Sequence, residues 1–203
     1  NGAYKFAIQI KGMEQSGYGI RAAMAMALSY MTCDVGAHHN RSWAITYDLE
    51  KGRKKIEGKA ERVIYIQHVR TMFDMLGVCR LQWVELGLSL EHYPEILKSI
   101  TGFDFNLNDL LKISERVWNL TRSFWKRENP DFGRSWDQPP KRFLEEEIAL
   151  GPTCGEKLTQ ETVDKLLNDY YRLRGWTDNG IPMKEKLQEL GLDIAIKDLY
   201  PEE

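Results

Sequence analysis

Helical periodicity is the feature that most constrains the fold of this chain. After residue 20, apolar residues recur at spacings of three and four, which places them on one face of an α-helix. Residues 60–76 show the pattern clearly, and Gly77 follows as a residue that commonly ends a helix. Capping residues, prolines and glycines mark the ends of four further predicted helices, at residues 94–102, 106–129, 159–175 and 182–191. The sequence therefore predicts an all-α fold.

One predicted helix differs from the others because it lacks a polar face. Residues 21–32 are dominated by alanine, methionine and leucine, and they are apolar nearly all round. A helix of this kind is buried on every side. The chain has 203 residues, 42% of them hydrophobic, which is enough to build a core around such a helix. We therefore expect a single irregular multi-helical domain over residues 1–203.

The N-terminal segment has a different period. Tyr4, Phe6, Ile8 and Ile10 alternate with other residues over residues 4–11, which is typical of a half-buried strand. No second segment alternates with comparable clarity, and an isolated strand needs partners. We therefore expect this strand to pair with sequence upstream of Asn1.

Composition excludes several classes of protein. Lysine and arginine number 28 against 30 acidic residues, so no overall basic field would attract nucleic acid. No segment approaches the roughly 20 apolar residues of a membrane span. The three cysteines (Cys33, Cys79 and Cys154) are odd in number and far apart, which argues against a disulfide framework. A reducing, cytoplasmic location is expected.

The segment from Asp74 to Cys79 is the first candidate site. A carboxylate such as that of Asp74 can accept paired hydrogen bonds from a flat amidine-like edge, which pterins carry. Gly77 lets the backbone turn, so that N–H groups near Gly77 and Val78 could face a ligand. As a thiolate, Cys79 could hold iron. On the residues alone, a helix end with a surface aspartate and a buried structural cysteine explains the same segment.

The second candidate lies at residues 36–41, where His38 and His39 are adjacent. Neighbouring side chains point in different directions, so one metal ion would not use both histidines. A zinc site of Cys33, His38 and His39 would also lack the usual ligand spacing. The alternative is a pair of loop histidines satisfied by backbone groups. His68 and His92 are interpreted as structural.

Several segments, taken in order, resemble the C-terminal helical part of the tungsten-pterin aldehyde:ferredoxin oxidoreductase family. Asp74-Met-Leu-Gly-Val-Cys79 is similar to the family motif Asp-x-x-Gly-Leu-Cys, and the run ending in Gly36, His39 and Arg41 is similar to its Arg-Gly-x-x-His-x-Arg segment. Further similar segments are residues 11–14, 115–120, 140–146, 170–176, 180–182 and 186–192. The resemblance covers most of the chain.

The resemblance implies a role for each candidate residue. Asp74 and the backbone near Gly77 and Val78 would hold one of two pterins that ligate tungsten or, less often, molybdenum. Cys79 would be the fourth ligand of a [4Fe–4S] cluster. His39 would lie near the metal, hydrogen-bonding its oxygen ligand or the substrate, with a role in proton transfer. The family oxidises aldehydes with water to carboxylic acids and passes electrons through the cluster to ferredoxin.

This chain departs from the family pattern near the expected substrate. Val35 replaces an arginine, residues 20–22 read Ile-Arg-Ala where the family has Pro-Arg-Gly, and His38 stands where cysteine is frequent. A related branch that reduces aromatic acyl thioesters is therefore a second hypothesis. A helical interaction domain without any cofactor is a third.

The family's N-terminal sheet domain, with its cysteine triplet, is outside this sequence. One thiolate does not retain a four-iron cluster, so the 203-residue chain alone is expected to bind neither cofactor and to be inactive. Its expected partners are the N-terminal domain of the same protein, ferredoxin and an aldehyde; a homodimer is also considered.

Overall fold

The all-α prediction is confirmed by the computed structural model, which describes residues 2–84 and 86–201. Ten α-helices lie in this described part of the chain: α1 Met24–Thr32, α2 Ile45–Lys51, α3 Lys59–Leu76, α4 Leu81–Val84, α5 His92–Thr101, α6 Leu107–Glu128, α7 Lys141–Glu145, α8 Gln160–Arg174, α9 Lys184–Glu189 and α10 Asp193–Leu199. Short 3-10 turns add Ala3–Lys5, His39–Arg41 and Arg134–Asp137. None of the described helices is long and apolar enough to cross a membrane.

A two-stranded hairpin is the β-structure of the described residues. β1 (Gln9–Ile10) pairs antiparallel with β2 (Met13–Glu14) of the same chain. Lys11 and Gly12 form the connection, with φ angles of 55° and 79°. Two successive residues in the left-handed region give the turn a twist that matches the twist of the paired strands. The hairpin is therefore closed by a lysine in a conformation that favours glycine.

The predicted strand over residues 4–11 is wrong in its extent. Ala3–Lys5 forms a 3-10 turn and Phe6 is 69% exposed, whereas Ile8 and Ile10 pack against the core, so the buried face begins only at Ile8. The paired part is short because the chain turns back at once. Pairing with upstream sequence stays a prediction, since Asn1 and the side chain of Tyr4 lie outside the described residues.

The α1 helix is the centre of the core, as its composition predicts. Every residue from Met24 to Thr32 is buried. Its first amides have no cap from the preceding residue, and Asp48 of α2 supplies one instead. The Asp48 carboxylate accepts from the Ala25 and Met26 amides at 2.9 Å each and pairs with the buried Lys59 at 2.7 Å. Helix α1 begins three residues later than predicted.

The long α3 helix connects the core to the surface described below. It packs against α1, α6 and α8, and the His39–Arg41 turn lies along it. The α6 helix begins with a reciprocal capping box between Asn106 and Asp109, as the predicted cap requires. The α8 helix is capped by Thr159 and ends at Gly175. The predicted ends of these helices are confirmed to within a residue or two.

The C-terminus departs from the prediction. The helix predicted for residues 182–191 is shorter, at Lys184–Glu189, and is followed by α10 (Asp193–Leu199). The α10 helix has seven residues and buries Ala195 against the small cluster around Leu187. A helix of two turns is too short to show a reliable apolar period, which is why the pattern missed it.

A buried ion cluster connects four parts of the fold. Lys11 of the hairpin turn lies 2.6 Å from Asp137, and Arg122 of α6 donates to both oxygens of the same carboxylate. The Tyr171 hydroxyl of α8 donates to it at 2.6 Å. Burial alone would raise the pKa of Asp137, but the charges of Arg122 and Lys11 lower it to about 2. Asp137 therefore carries a charge in the core and joins the Arg134–Asp137 turn to α6, α8 and the hairpin turn.

Candidate functional site

The turn after α3 is a helix C-cap that uses two of its own amides. Gly77 has a φ of 66°, its N–H donates to the Asp74 carbonyl, and the Val78 N–H donates to Phe73 at 3.0 Å. This pair of bonds is the Schellman motif. The Gly77 and Val78 amides are therefore engaged inside the cap. The expectation that N–H groups near this turn face a ligand stays a prediction. The amides of Cys79 and Arg80 come next in the chain and have no acceptor among the described residues.

Replacing Gly77 with alanine is expected to reduce stability without removing a ligand contact. No atom lies within 4 Å of an added Cβ, so the cost comes from the left-handed backbone, about 1–2 kcal/mol in the free energy of unfolding. Urea denaturation would measure this loss. Gly19→Ala is the control, since Gly19 has equal space and no left-handed φ. Equal stability of the two variants would contradict the cap as the role of Gly77.

Asp74 lies on the surface, with its side chain 62% exposed. Its Oδ2 accepts a hydrogen bond from Arg41. The position of Arg41 is fixed by Asp34, which accepts from Nε at 2.9 Å and from Nη2 at 2.7 Å. The Oδ1 atom of Asp74 has no partner among the described residues. The carboxylate is thus oriented by an arginine and keeps one oxygen available.

Cys79 is exposed and free, which disagrees with the alternative of a buried structural cysteine. Cys33 differs sharply, because burial and then the charge of Asp34 raise the pKa of its thiol to about 12. Cys154 is the other exposed free cysteine. Nowhere in residues 2–84 and 86–201 do three His, Cys, Asp or Glu side chains group as a metal site would require. Cys79 therefore suits the role of a single metal ligand. Cys33, His38 and His39 do not form a metal-binding group in the described part of the chain.

His39 lies on the same side of α3 as Asp74 and Cys79. The turn that carries it is joined to α3 by the Arg70 Nε hydrogen bond to the Asn40 carbonyl and by the Arg41 bond to Asp74. Its Nδ1 bonds with the Ser16 hydroxyl at 2.8 Å. Burial, followed by the charges of His38, Arg80 and Arg70, lowers the pKa of His39 below the ordinary value of 6.5. The ring is therefore neutral at pH 7.

Two of the other histidines, His38 and His68, make the contacts expected of structural residues. His38 Nδ1 accepts from the Asn40 amide at 3.1 Å, which is the backbone satisfaction expected of a loop histidine. His68 contacts the buried Arg174 at 2.6 Å, and burial together with that charge lowers its pKa to about 2. His92 is exposed at the start of α5.

Sequence analysis missed the arginine side chains beside this site. A groove between α2, α3 and α4 has a volume of about 280 Å³. We call it the arginine groove, defined by Trp43, Tyr47, Arg62, Arg70, Arg80 and Trp83. Arg62 and Arg70 are eight residues apart on α3, so they share one face of the helix. That spacing was the available signal, but it resembles an ordinary solvated helix face.

Comparisons with known proteins identify chains that are similar to this one. A family profile described as "Aldehyde ferredoxin oxidoreductase, domains 2 & 3" matches residues 1–192. The chain is 33% identical over 194 residues to the tungsten-containing aldehyde ferredoxin oxidoreductase of Pyrococcus furiosus, covering 93% of this chain and 31% of that protein. The corresponding Thermococcus kodakarensis protein is 32% identical over 194 residues, covering 93% of this chain and 31% of that protein. The chain thus spans about a third of the length of these curated relatives.

Two more distant similarities involve other reactions. The WOR-like subunit of an aliphatic sulfonate oxidoreductase from Pyrococcus furiosus is 25% identical over 201 residues, covering 96% of this chain and 29% of that protein. A solved structure, the active-site complex BamBC of benzoyl coenzyme A reductase with 1,5-dienoyl-CoA, matches with a TM-score of 0.56 and 25% identity. That match covers 71% of this chain and 20% of the solved chain.

Proposed function

Because this chain belongs to the aldehyde ferredoxin oxidoreductase family, we propose that the protein containing it oxidises aldehydes with water to carboxylic acids and passes the electrons to ferredoxin. The supporting observation is that His39, Asp74 and Cys79, which match the family motifs, lie on one side of α3 with the Asp74 and Cys79 side chains exposed. Free cysteines are consistent with a cytoplasmic enzyme.

The residues fit a pterin and an iron–sulfur cluster as partial ligands. Asp74 would accept hydrogen bonds from the pterin through its available Oδ1, while Arg41 orients the carboxylate. Cys79 would supply one thiolate to the cluster. When bound, the tungsten-pterin centre supplies two-electron chemistry and the cluster supplies a one-electron path out. Since Cys79 is a single ligand, we propose that the remaining ligands come from outside this chain.

His39 would accept a proton during the reaction. Its Nδ1 is engaged with Ser16, which leaves Nε2 as the nitrogen available for transfer. The lowered pKa favours the neutral ring, and we propose the tautomer in which Nδ1–H donates to the Ser16 hydroxyl, so that Nε2 is the nitrogen that accepts the proton. The ring is positioned by contacts with Tyr18 at 5.4 Å and Trp43 at 5.8 Å between centroids. Such a neutral, fixed imidazole is suited to general base catalysis.

Reduction of an aromatic acyl thioester is the second candidate. It is favoured by the structural similarity to the benzoyl coenzyme A reductase complex. The departures from the family pattern at Val35 and His38 lie beside His39, where they would affect substrate choice.

Purification of the full-length protein under anaerobic conditions tests the proposal. Aldehyde-dependent reduction of ferredoxin, with iron and tungsten bound, is the expected result. Activity only with an aromatic acyl thioester and a low-potential reductant would support the second candidate. Full-length protein without metal and without activity would favour the cofactor-free interaction domain and reject the enzyme.

Replacing His39 with glutamine is expected to lower kcat by about 100-fold or more while leaving tungsten content unchanged, because a positioned acid or base typically contributes 10²–10⁴-fold. In the unsubstituted protein, kcat/KM should fall as the pH drops through the histidine pKa, at a pH below 6.5. Steady-state kinetics across pH would measure both effects. An unchanged kcat in His39→Gln would show that His39 does not act as the general base.

A further inference from the structure

The arginine groove is lined by three guanidinium groups. None of Arg62, Arg70 and Arg80 forms an ion pair with another described residue. Glu50 of α2 is the acidic residue in the lining, so positive charge is in excess. The other arginines of this side are balanced, as the pair of Arg41 with Asp34 shows.

Two donors on the arginines that line the groove are buried. Arg62 Nε and Arg70 Nη1 are shielded from solvent and have no acceptor among the described residues. Burial first, and then the charges of Arg80 and Arg41, lowers the pKa of Arg70 to about 10. A buried unpaired donor on a cation is costly, and an oxyanion would remove that cost.

The walls of the groove are aromatic. Trp43, Tyr47 and Trp83 contribute to its lining, and Trp83 is fixed by Phe73 at 5.8 Å between ring centroids. A volume of about 280 Å³ suits one small molecule with a flat apolar body. Inorganic anions alone would leave these rings without a contact.

We propose that the arginine groove binds the carboxylate of a small aromatic acid, with the guanidinium groups on the oxyanion and the indole and phenol rings on its body. Trp43 contacts both the groove and His39, so an anchored substrate would extend toward that histidine. The corresponding substrates of the enzyme are aromatic aldehydes that carry an anionic group, and this assignment rests on the proposed function.

Benzoate binding to the full-length protein tests the groove without turnover. Benzoate should quench tryptophan fluorescence saturably, while benzyl alcohol, acetate and inorganic phosphate bind at least tenfold more weakly. Arg70→Gln and Arg62→Gln should each weaken benzoate binding by roughly tenfold or more, as expected for loss of a charge-assisted hydrogen bond. Arg127→Gln is the matched control, because its guanidinium pairs with Glu128 and Asp198 and lines no part of the groove.

Four results would overturn the proposal. Equal binding of benzoate and benzyl alcohol would show that the groove does not recognise the carboxylate. Binding of phosphate or acetate as tight as that of benzoate would show that it does not recognise the aromatic ring. Loss of tungsten from Arg70→Gln would assign the arginines to a phosphate of the cofactor. Unchanged benzoate affinity in Arg62→Gln, which touches no backbone of the His39 turn, would exclude the groove even where Arg70→Gln misfolds.

The kinetic arm uses two aldehydes. The KM for 4-carboxybenzaldehyde should rise about tenfold in Arg62→Gln, while the KM for benzaldehyde stays unchanged, because Arg62 lines the groove and makes no contact with the turn that carries His39. Equal changes for both aldehydes would contradict selection by charge. Benzoate binding in a protein that oxidises no aldehyde would reject the proposed function and leave the groove supported.

Discussion

Replacing Cys79 with alanine in the full-length protein is expected to lower the bound iron from about four atoms to about three or fewer, and to stop electron transfer to ferredoxin. The thiol is exposed directly after the cap of α3, and its removal leaves one corner of a cubane without a protein ligand. Iron analysis and electron paramagnetic resonance of the reduced protein would measure the loss.

Cys154→Ala is the matched control, because Cys154 is also exposed and free but lies in the loop before α8. It should retain full iron and activity. The unmodified 203-residue chain, purified alone, should hold no stoichiometric iron or tungsten. Full iron in Cys79→Ala would show that other residues supply all the ligands of the cluster.

Replacing Asp137 with alanine is expected to lower the free energy of unfolding by about 3–5 kcal/mol, since it leaves buried cations without their counter-charge. Arg122 and Lys11 both pair with this carboxylate, and the side chain of Asp137 is fully buried. Tyr171 loses its acceptor as well. Urea denaturation of the 203-residue chain, followed by tryptophan fluorescence, would measure the change.

Asp198→Ala provides the comparison, because Asp198 pairs with the exposed Arg127. This substitution should lower the free energy of unfolding by less than about 1 kcal/mol. The Asp137 contribution also depends on pH. Its pKa is lowered to about 2 in the fold from an ordinary 3.8, so its stabilising effect is complete above pH 3.8 and is lost as the pH falls through 2. A loss near 1 kcal/mol in Asp137→Ala would contradict the buried cluster as a main source of stability.

Local sequence signals were sufficient for the helices that have clear ends. Gly77 ends α3 because a left-handed residue closes the Schellman motif, and Asn106 starts α6 because its side chain accepts from the first turn. These are interactions between residues at most five apart, so the residues themselves specify them. The hairpin was missed because Lys11 adopts a conformation that its residue type disfavours.

The candidate site was only partly predictable. The family motifs identified His39, Asp74 and Cys79 as candidates. These residues lie on one side of α3 because two contacts join the 39–41 turn to that helix, one from Arg41 to Asp74 and one from Arg70 to the Asn40 carbonyl. The same fold engages the Gly77 and Val78 amides in the cap, which the motif alone does not specify, and ligand contacts near this turn stay a prediction.

The sequence by itself determined the helical class, the family and the ends of the main helices, because period and capping act over a few neighbouring residues. Only the tertiary structure decided which charges meet. Lys11 lies more than 100 residues from Arg122 and Asp137 yet shares one buried site with them, whereas Arg62, Arg70 and Arg80 line one groove and form no ion pair with a described residue. Charge balance in a core is set by packing across the whole chain, and no local pattern carries it.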